Sequence, residues 1–200
     1  MRRVLLVLLI LVALALAGGA WMLSRGFSAR VEPSRLEAAV ARRLRHLAVP
    51  RGARQAKNPV AMTPEVLHDG LEHFADHCAV CHANDGGGKT TLGENTYPRA
   101  PDMRLPETQR LSDGELFYII ENGVRFTAMP GWGNPGPEDD ADTWALVHFI
   151  RHLPQLTPDE LEHMHSLNPK SAEDWEAEQF LGEQGGATAH PPDPPPSRPK

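Results

Sequence analysis

Cys78-Ala79-Val80-Cys81-His82 decides how this chain is read. Two thiols three positions apart, with an imidazole next in sequence, have the C-x-x-C-H spacing of covalent c-type haem attachment. The spacing has a mechanical reason: both sulfurs can add to the vinyl groups on one porphyrin edge, and the next side chain then lies under the iron. Other uses of paired cysteines fit worse. A thioredoxin-like pair follows a strand in a βαβ pattern, whereas here an apolar helical stripe, Val66, Leu67, Leu71 and Phe74, runs into the motif. A structural zinc site would need two more ligands, and there is no further cysteine, although His163 and His165 could be imagined in that role. A disulfide across this spacing closes a very short, strained loop.

Outward from the motif the signals are helical. Thr63-Pro64-Glu65 opens a helix, with Thr as N-cap and Pro at the first helical position. After the motif, Ala83 to Pro106 is a loop rich in Gly, Pro and Asn with no strand pattern. Ser112-Asp113-Gly114-Glu115 has the form of a capping box and starts a helix through Leu116, Ile119 and Ile120 that stops at Asn122-Gly123. Asp140 or Asp142 caps a last helix carrying Trp144, Val147, Phe149 and Ile150, ended by Pro154. The expectation is an all-α domain over residues 63–155, three to four helices around a covalently attached haem.

A low-spin haem iron takes a second axial ligand, and methionine opposite histidine raises the potential. Met1 and Met22 lie in the apolar N-terminal stretch, Met62 precedes the domain and Met164 lies in an acidic extension, which leaves Met103 and Met129. Met129 is favoured: Pro130-Gly131-Trp132-Gly133 follows it, in a loop between two helices where a rigid turn can aim a thioether inward. Met103, in Ala100-Pro101-Asp102-Met103-Arg104, reads as an apolar plug beneath the haem. If neither methionine served, His148 and His152 on the last helix would be next.

Taken together, Phe74, Cys78-x-x-Cys81-His82, the helix Leu111 to Gly123, Ala128-Met129-Pro130 and Trp144 to Ile150 resemble a class I, mitochondrial-type c-type cytochrome. The resemblance covers about 90 residues, 64–154, and none of the flanking segments. It implies one haem c held by Cys78 and Cys81, iron ligated by His82 and Met129, and first and last helices crossing around Phe74 and Trp144. It also implies that the carbonyl of Pro98 or Pro101 accepts the other ring N–H of His82, fixing its tautomer and raising its basicity. With both axial positions filled, the iron passes single electrons and has no open site for oxygen or substrate. The implied function is electron transfer between redox partner proteins in a respiratory or periplasmic chain, not enzymatic catalysis. Two alternatives stand beside it: a fixed haem c subunit of a larger oxidase or dehydrogenase, and a haem enzyme or sensor in which Met129 is displaced.

The flanks carry location. Met1-Arg2-Arg3 precedes Val4 to Leu23, twenty residues without charge or proline, about 30 Å as a helix and enough to span a bilayer. Residues 1–24 are read as a retained anchor, because apolar character continues through Trp21, Met22 and Leu23; the alternative is a signal peptide cleaved after Ala15-Leu16-Ala17, leaving a soluble periplasmic carrier. Either choice delivers the domain outside the cytoplasm. The arginines after the span oppose that orientation under the positive-inside rule, and the haem motif overrides them, since long domains translocate largely regardless of flanking charge. Residues 25–62 form a basic stalk and linker: nine Arg or Lys against Glu32 and Glu37, a helix over 32–49 with Leu36, Val40, Leu44 and Leu47 on one face, then a linker from Pro50 to Pro64. Residues 156–184 are an acidic extension with short helices, and 185–200 a Pro-rich tail. The net charge of −6 excludes a general nucleic-acid coat, and the opposite charges of stalk and extension make the molecule bipolar.

Other features are weaker. His68, His73 and His77 share a helical face that reads as exposed and polar rather than as a metal site. His163-Met164-His165 lacks another soft ligand for copper. Gly86-Gly87-Gly88-Lys89 lacks the leading glycine spacing and preceding strand of a phosphate loop and is a turn. Trp132 and Arg125 stand near enough in sequence to Met129 to serve the haem propionates or simply line the crevice.

Overall fold

The computed structural model describes residues 2–24, 26, 28–133 and 140–169, and among them every regular element is helical. In chain order these are α1 Arg2–Ser24, α2 Arg35–Ala48, α3 Arg51–Gln55, α4 Pro64–His73, α5 Ala79–His82, α6 Thr91–Glu94, α7 Pro106–Gln109, α8 Asp113–Asn122, α9 Ala141–His152 and α10 Pro158–Leu167. Several boundaries follow directly from local chemistry. The Thr63 hydroxyl accepts the Val66 N–H with Pro64 in the first turn, and Ser112 and Glu115 cap α8 reciprocally. The long loop after the motif is less irregular than its composition suggests, because Thr90 caps α6 and Pro106 opens α7.

The core forms where α4 crosses α9. Gly70 makes this possible: a Cβ there would collide with the Ala145 carbonyl and stand 3.1 Å from Phe149 Cβ, so only glycine lets the two backbones touch. One turn on, the Phe74 and Phe149 rings pack at 5.1 Å between centroids with a 54° tilt, both almost fully enclosed. Such a pair adds about 0.5–1.5 kcal/mol beyond the burial of its area. The third wall is α8, whose Phe117 stacks on Trp144 at 4.1 Å. Arg151 on α9 ties down the start of α8, donating to the Gln109 carbonyl at 2.7 Å and to Asp113 at 2.8 Å.

Both flanks differ from spacers. The segment expected as an irregular linker contains α3, which packs against α8 with the Ser112 hydroxyl donating to the Arg54 carbonyl at 2.8 Å. Val49 and Pro50 therefore mark a break between two helices rather than the end of ordered structure, and Gly52 lies within the second. Val49 is buried at 3 % exposure, whereas the Leu36, Val40, Leu44 and Leu47 face of α2 is open. On the other side, α10 begins the acidic extension yet seals the core with Met164, which is wholly buried. Asn168 then donates to the Ala75 carbonyl at 2.8 Å. The Pro-rich tail and the remainder of the acidic extension lie outside the described residues. Helix α1 is long and apolar enough to cross a membrane, with mean hydropathy 2.7 over its best window.

Candidate functional site

The haem motif sits where α4 loosens. After His73 the helix widens over Phe74–Cys78, so that the Ala79 N–H reaches back five residues to the Phe74 carbonyl, and α5 then carries Cys81 and His82. Widened turns of this kind collect at functional sites because they re-aim side chains without ending a helix. The chain then turns through Gly86–Gly88 and closes on the motif, the Gly88 N–H donating to the His82 carbonyl at 2.8 Å and Met103 N–H to the Gly86 carbonyl at 2.8 Å.

Cys78, Cys81, His82, Met103 and Met129 all face one apolar cleft of about 370 Å³, and Pro98 and Pro101 line it too. Burial pushes the Cys78 thiol up to about 12, with help from Cys81, and raises the Cys81 thiol as well. Both are therefore thiols rather than thiolates at neutral pH, unlike the acidified cysteine of a dithiol redox pair. The His82 imidazole is pulled down by burial, while the Pro101 carbonyl works the other way. Of the two prolines raised by the sequence, Pro101 is thus the one that interacts with the ring. The Nδ1 atom of His82 is buried and makes no well-formed hydrogen bond.

Met129 reaches the cleft through a folded-back loop. Gly123 ends α8 at φ +65°, a conformation costly for any other residue, and the Val124 N–H donates to the Met129 carbonyl at 3.1 Å. Thr127 pins the tip, accepting the Met129 N–H at 3.1 Å and donating to the Val124 carbonyl at 2.7 Å. Trp132 N–H returns to the Ile120 carbonyl at 3.0 Å, and the Trp132 side chain lines the cleft. Arg125 is exposed and does not line it. Neither do His148, bonded to the Val60 carbonyl at 2.8 Å, and His152, paired with Glu160 at 2.8 Å.

The other histidines fall elsewhere. His68 and His163 stack at 5.4 Å and both point at Glu72, at 3.2 and 3.9 Å, an exposed cluster that holds α10 beside α4. Met164 faces the core instead of joining its neighbours, and His165 meets Asn84 at 3.2 Å. His73 and His77 lie ring to ring at 4.8 Å, with His77 edge-on to Trp132.

Sequence reading missed two cleft residues, Arg45 on α2 and Arg99 on the loop before α7. Nothing in the sequence distinguishes Arg45 from its neighbouring arginines; only the docking of α2 brings it there. Among the described residues the lining contains two guanidinium groups and no carboxylate. An apolar slot with two thiols, a buried imidazole, thioethers and the Arg45 guanidinium fits haem, a flat apolar group with two carboxylates.

Fold and cleft together define a small helical haem protein of the electron-transfer class. Residues 65–150 match the family described as cytochrome c oxidase, cbb3-type, subunit III. The chain is also 31 % identical over 86 residues to cytochrome c6 of the alga Cladophora glomerata, a match covering 43 % of this chain and 87 % of that one. The chain belongs to the monohaem c-type cytochromes. As such it binds haem c covalently and carries electrons between redox partner proteins rather than catalysing a reaction on a substrate.

Proposed function

We propose that Cys78 and Cys81 form the two thioether links, that His82 and Met129 are the axial ligands, and that the domain works outside the cytoplasm, held at a membrane by α1. The observation that carries this reading is the convergence of the motif and the folded-back Met129 loop on one apolar cleft. Haem, when bound, supplies a one-electron iron couple. The chain's own groups do the rest. Soft sulfur and neutral imidazole favour the reduced metal and raise its potential, and the apolar walls from α8 and α9 exclude water and keep the couple from reorganising solvent. The Pro101 carbonyl lies beside His82 and is the acceptor that would orient the proximal ring once its other nitrogen is engaged. Met103, whose N–H donates to the Gly86 carbonyl at 2.8 Å, sits on the loop that follows the haem motif, whereas Met129 comes from the separate loop after α8; this supports Met129 as the ligand opposite His82.

Attachment outside the cytoplasm follows the systems that the motif resembles, and α1 supplies the span. The similarity to subunit III of a cbb3-type oxidase favours a second reading, in which the chain is a fixed subunit that hands electrons to a larger complex. Purification from membranes separates the two: stoichiometric co-purifying subunits select the complex, a lone chain the carrier. Haem attachment itself is tested on a denaturing gel, where the wild type should keep its haem and Cys78→Ala with Cys81→Ala should lose it. Covalent haem in the double variant would refute the assignment of the thiols.

A further inference from the structure

The stalk helix is built into the haem cleft. Glu32 meets Arg99 at 2.9 Å, Glu37 accepts a hydrogen bond from Tyr97, and His46 Nδ1 meets Glu115 at 2.6 Å. These three contacts run along α2 and its leading segment, fixing the helix face that carries Arg45 over the cleft. None of these stalk residues lies within the family match, which begins at residue 65.

The two arginines in the lining are not equivalent. Arg99 is neutralised by Glu32 and also donates to the Arg30 carbonyl. Arg45 is half-buried, and among the described residues no hydrogen bond or ion pair falls on its guanidinium; its charged neighbours are the like-signed Arg42 and Glu115, already engaged by His46 and the Ser112 N–H. Burying a guanidinium without an acceptor is costly, so such a group is retained where an anion completes it. Among the described residues no carboxylate lines the cleft to do so.

We propose that Arg45 is the counter-charge for a haem propionate, so that the membrane-proximal stalk, and not the cytochrome domain alone, sets the reduction potential. The proposal rests on the haem c reading above. A guanidinium matches a carboxylate in a two-point geometry that Arg125, exposed on the Met129 loop, does not reach. A positive charge at the rim of a poorly solvated cleft favours the ferrous state, which carries one positive charge fewer than the ferric state.

The test is spectroelectrochemical titration of the full-length haem-loaded protein in detergent, comparing wild type with Arg45→Gln, Arg45→Lys and, as a control on the exposed face of the same helix, Arg43→Gln. Arg45→Gln should shift the one-electron equilibrium roughly three- to tenfold toward the oxidised form, a tenfold change being about 59 mV. Arg45→Lys should recover most of that shift, and Arg43→Gln should show almost none once salt screens exposed charge. An unchanged potential in a folded Arg45→Gln protein would overturn the proposal, as would Arg45→Lys behaving like Arg45→Gln, since the cause would then be lost packing rather than lost charge. Loss of covalent haem from the wild type itself would instead refute the underlying assignment.

Discussion

Glu115 shows how much one side chain joins in this protein. It is almost fully buried, caps α8 through the Ser112 N–H at 2.9 Å and receives His46 from the stalk at 2.6 Å. Burial alone would raise its pKa, but the Ser112 and His46 hydrogen bonds outweigh it, and the folded-state pKa lies below the ordinary carboxylate range. A depressed carboxylate contributes stability above its unfolded pKa of about 4.3 and loses it as pH falls through the folded value. Denaturant unfolding of the holoprotein between pH 7 and pH 3 should therefore show a loss of stability that is smaller in Glu115→Gln, with the variant less stable than wild type at pH 7; equal pH slopes would contradict this. The capping role was legible as a Ser-x-x-Glu pattern, whereas the His46 partner, 69 positions away, was not. Local spacing encodes caps, but long-range partners depend on the packing of the whole chain.

At the level of elements, the α4–α9 crossing depends on the absence of a side chain at Gly70. Gly70→Ala should cost about 1–3 kcal/mol by overpacking against the Ala145 carbonyl, despite alanine's better helix propensity. Gly52 in α3 meets nothing within 4 Å, so Gly52→Ala should be neutral or stabilising by up to about 1 kcal/mol. Guanidinium unfolding midpoints of the two variants check both, and equal effects would remove the crossing from its role. Helices α4, α8 and α9 were readable from periodicity and caps. The docking of α3 and α10 was not, because Pro50, Gly52 and the acidic residues near Met164 signal linker and solvent, while the single buried Val49 and Met164 that hold these helices carry no pattern of their own.

Across the whole molecule, the features that name the cofactor were concentrated in five consecutive residues, and those that tune it are spread from the stalk to α9. The exposed face of α2, with Leu36, Val40, Leu44 and Leu47 among arginines, follows the apolar α1 in sequence. If α1 is retained, the protein should stay with membranes through high-salt and carbonate washes, and the intact mass should include residues 1–24. Release by carbonate, with a mature N-terminus near Gly18, would mark α1 as a cleaved signal and leave a soluble carrier.

The sulfur that opposes His82 decides how the iron is held. Met129→Leu and Met103→Leu make the same near-isosteric change in one cleft, each costing under about 1.5 kcal/mol in packing. Paired optical and potentiometric titration of the two full-length variants should show a large fall in potential, with altered spin state or new carbon monoxide binding, for Met129→Leu. Met103→Leu should keep a spectrum and potential close to wild type. A native spectrum and potential in Met129→Leu would contradict His82–Met129 ligation, and the same loss seen in Met103→Leu instead would transfer the ligand role to Met103.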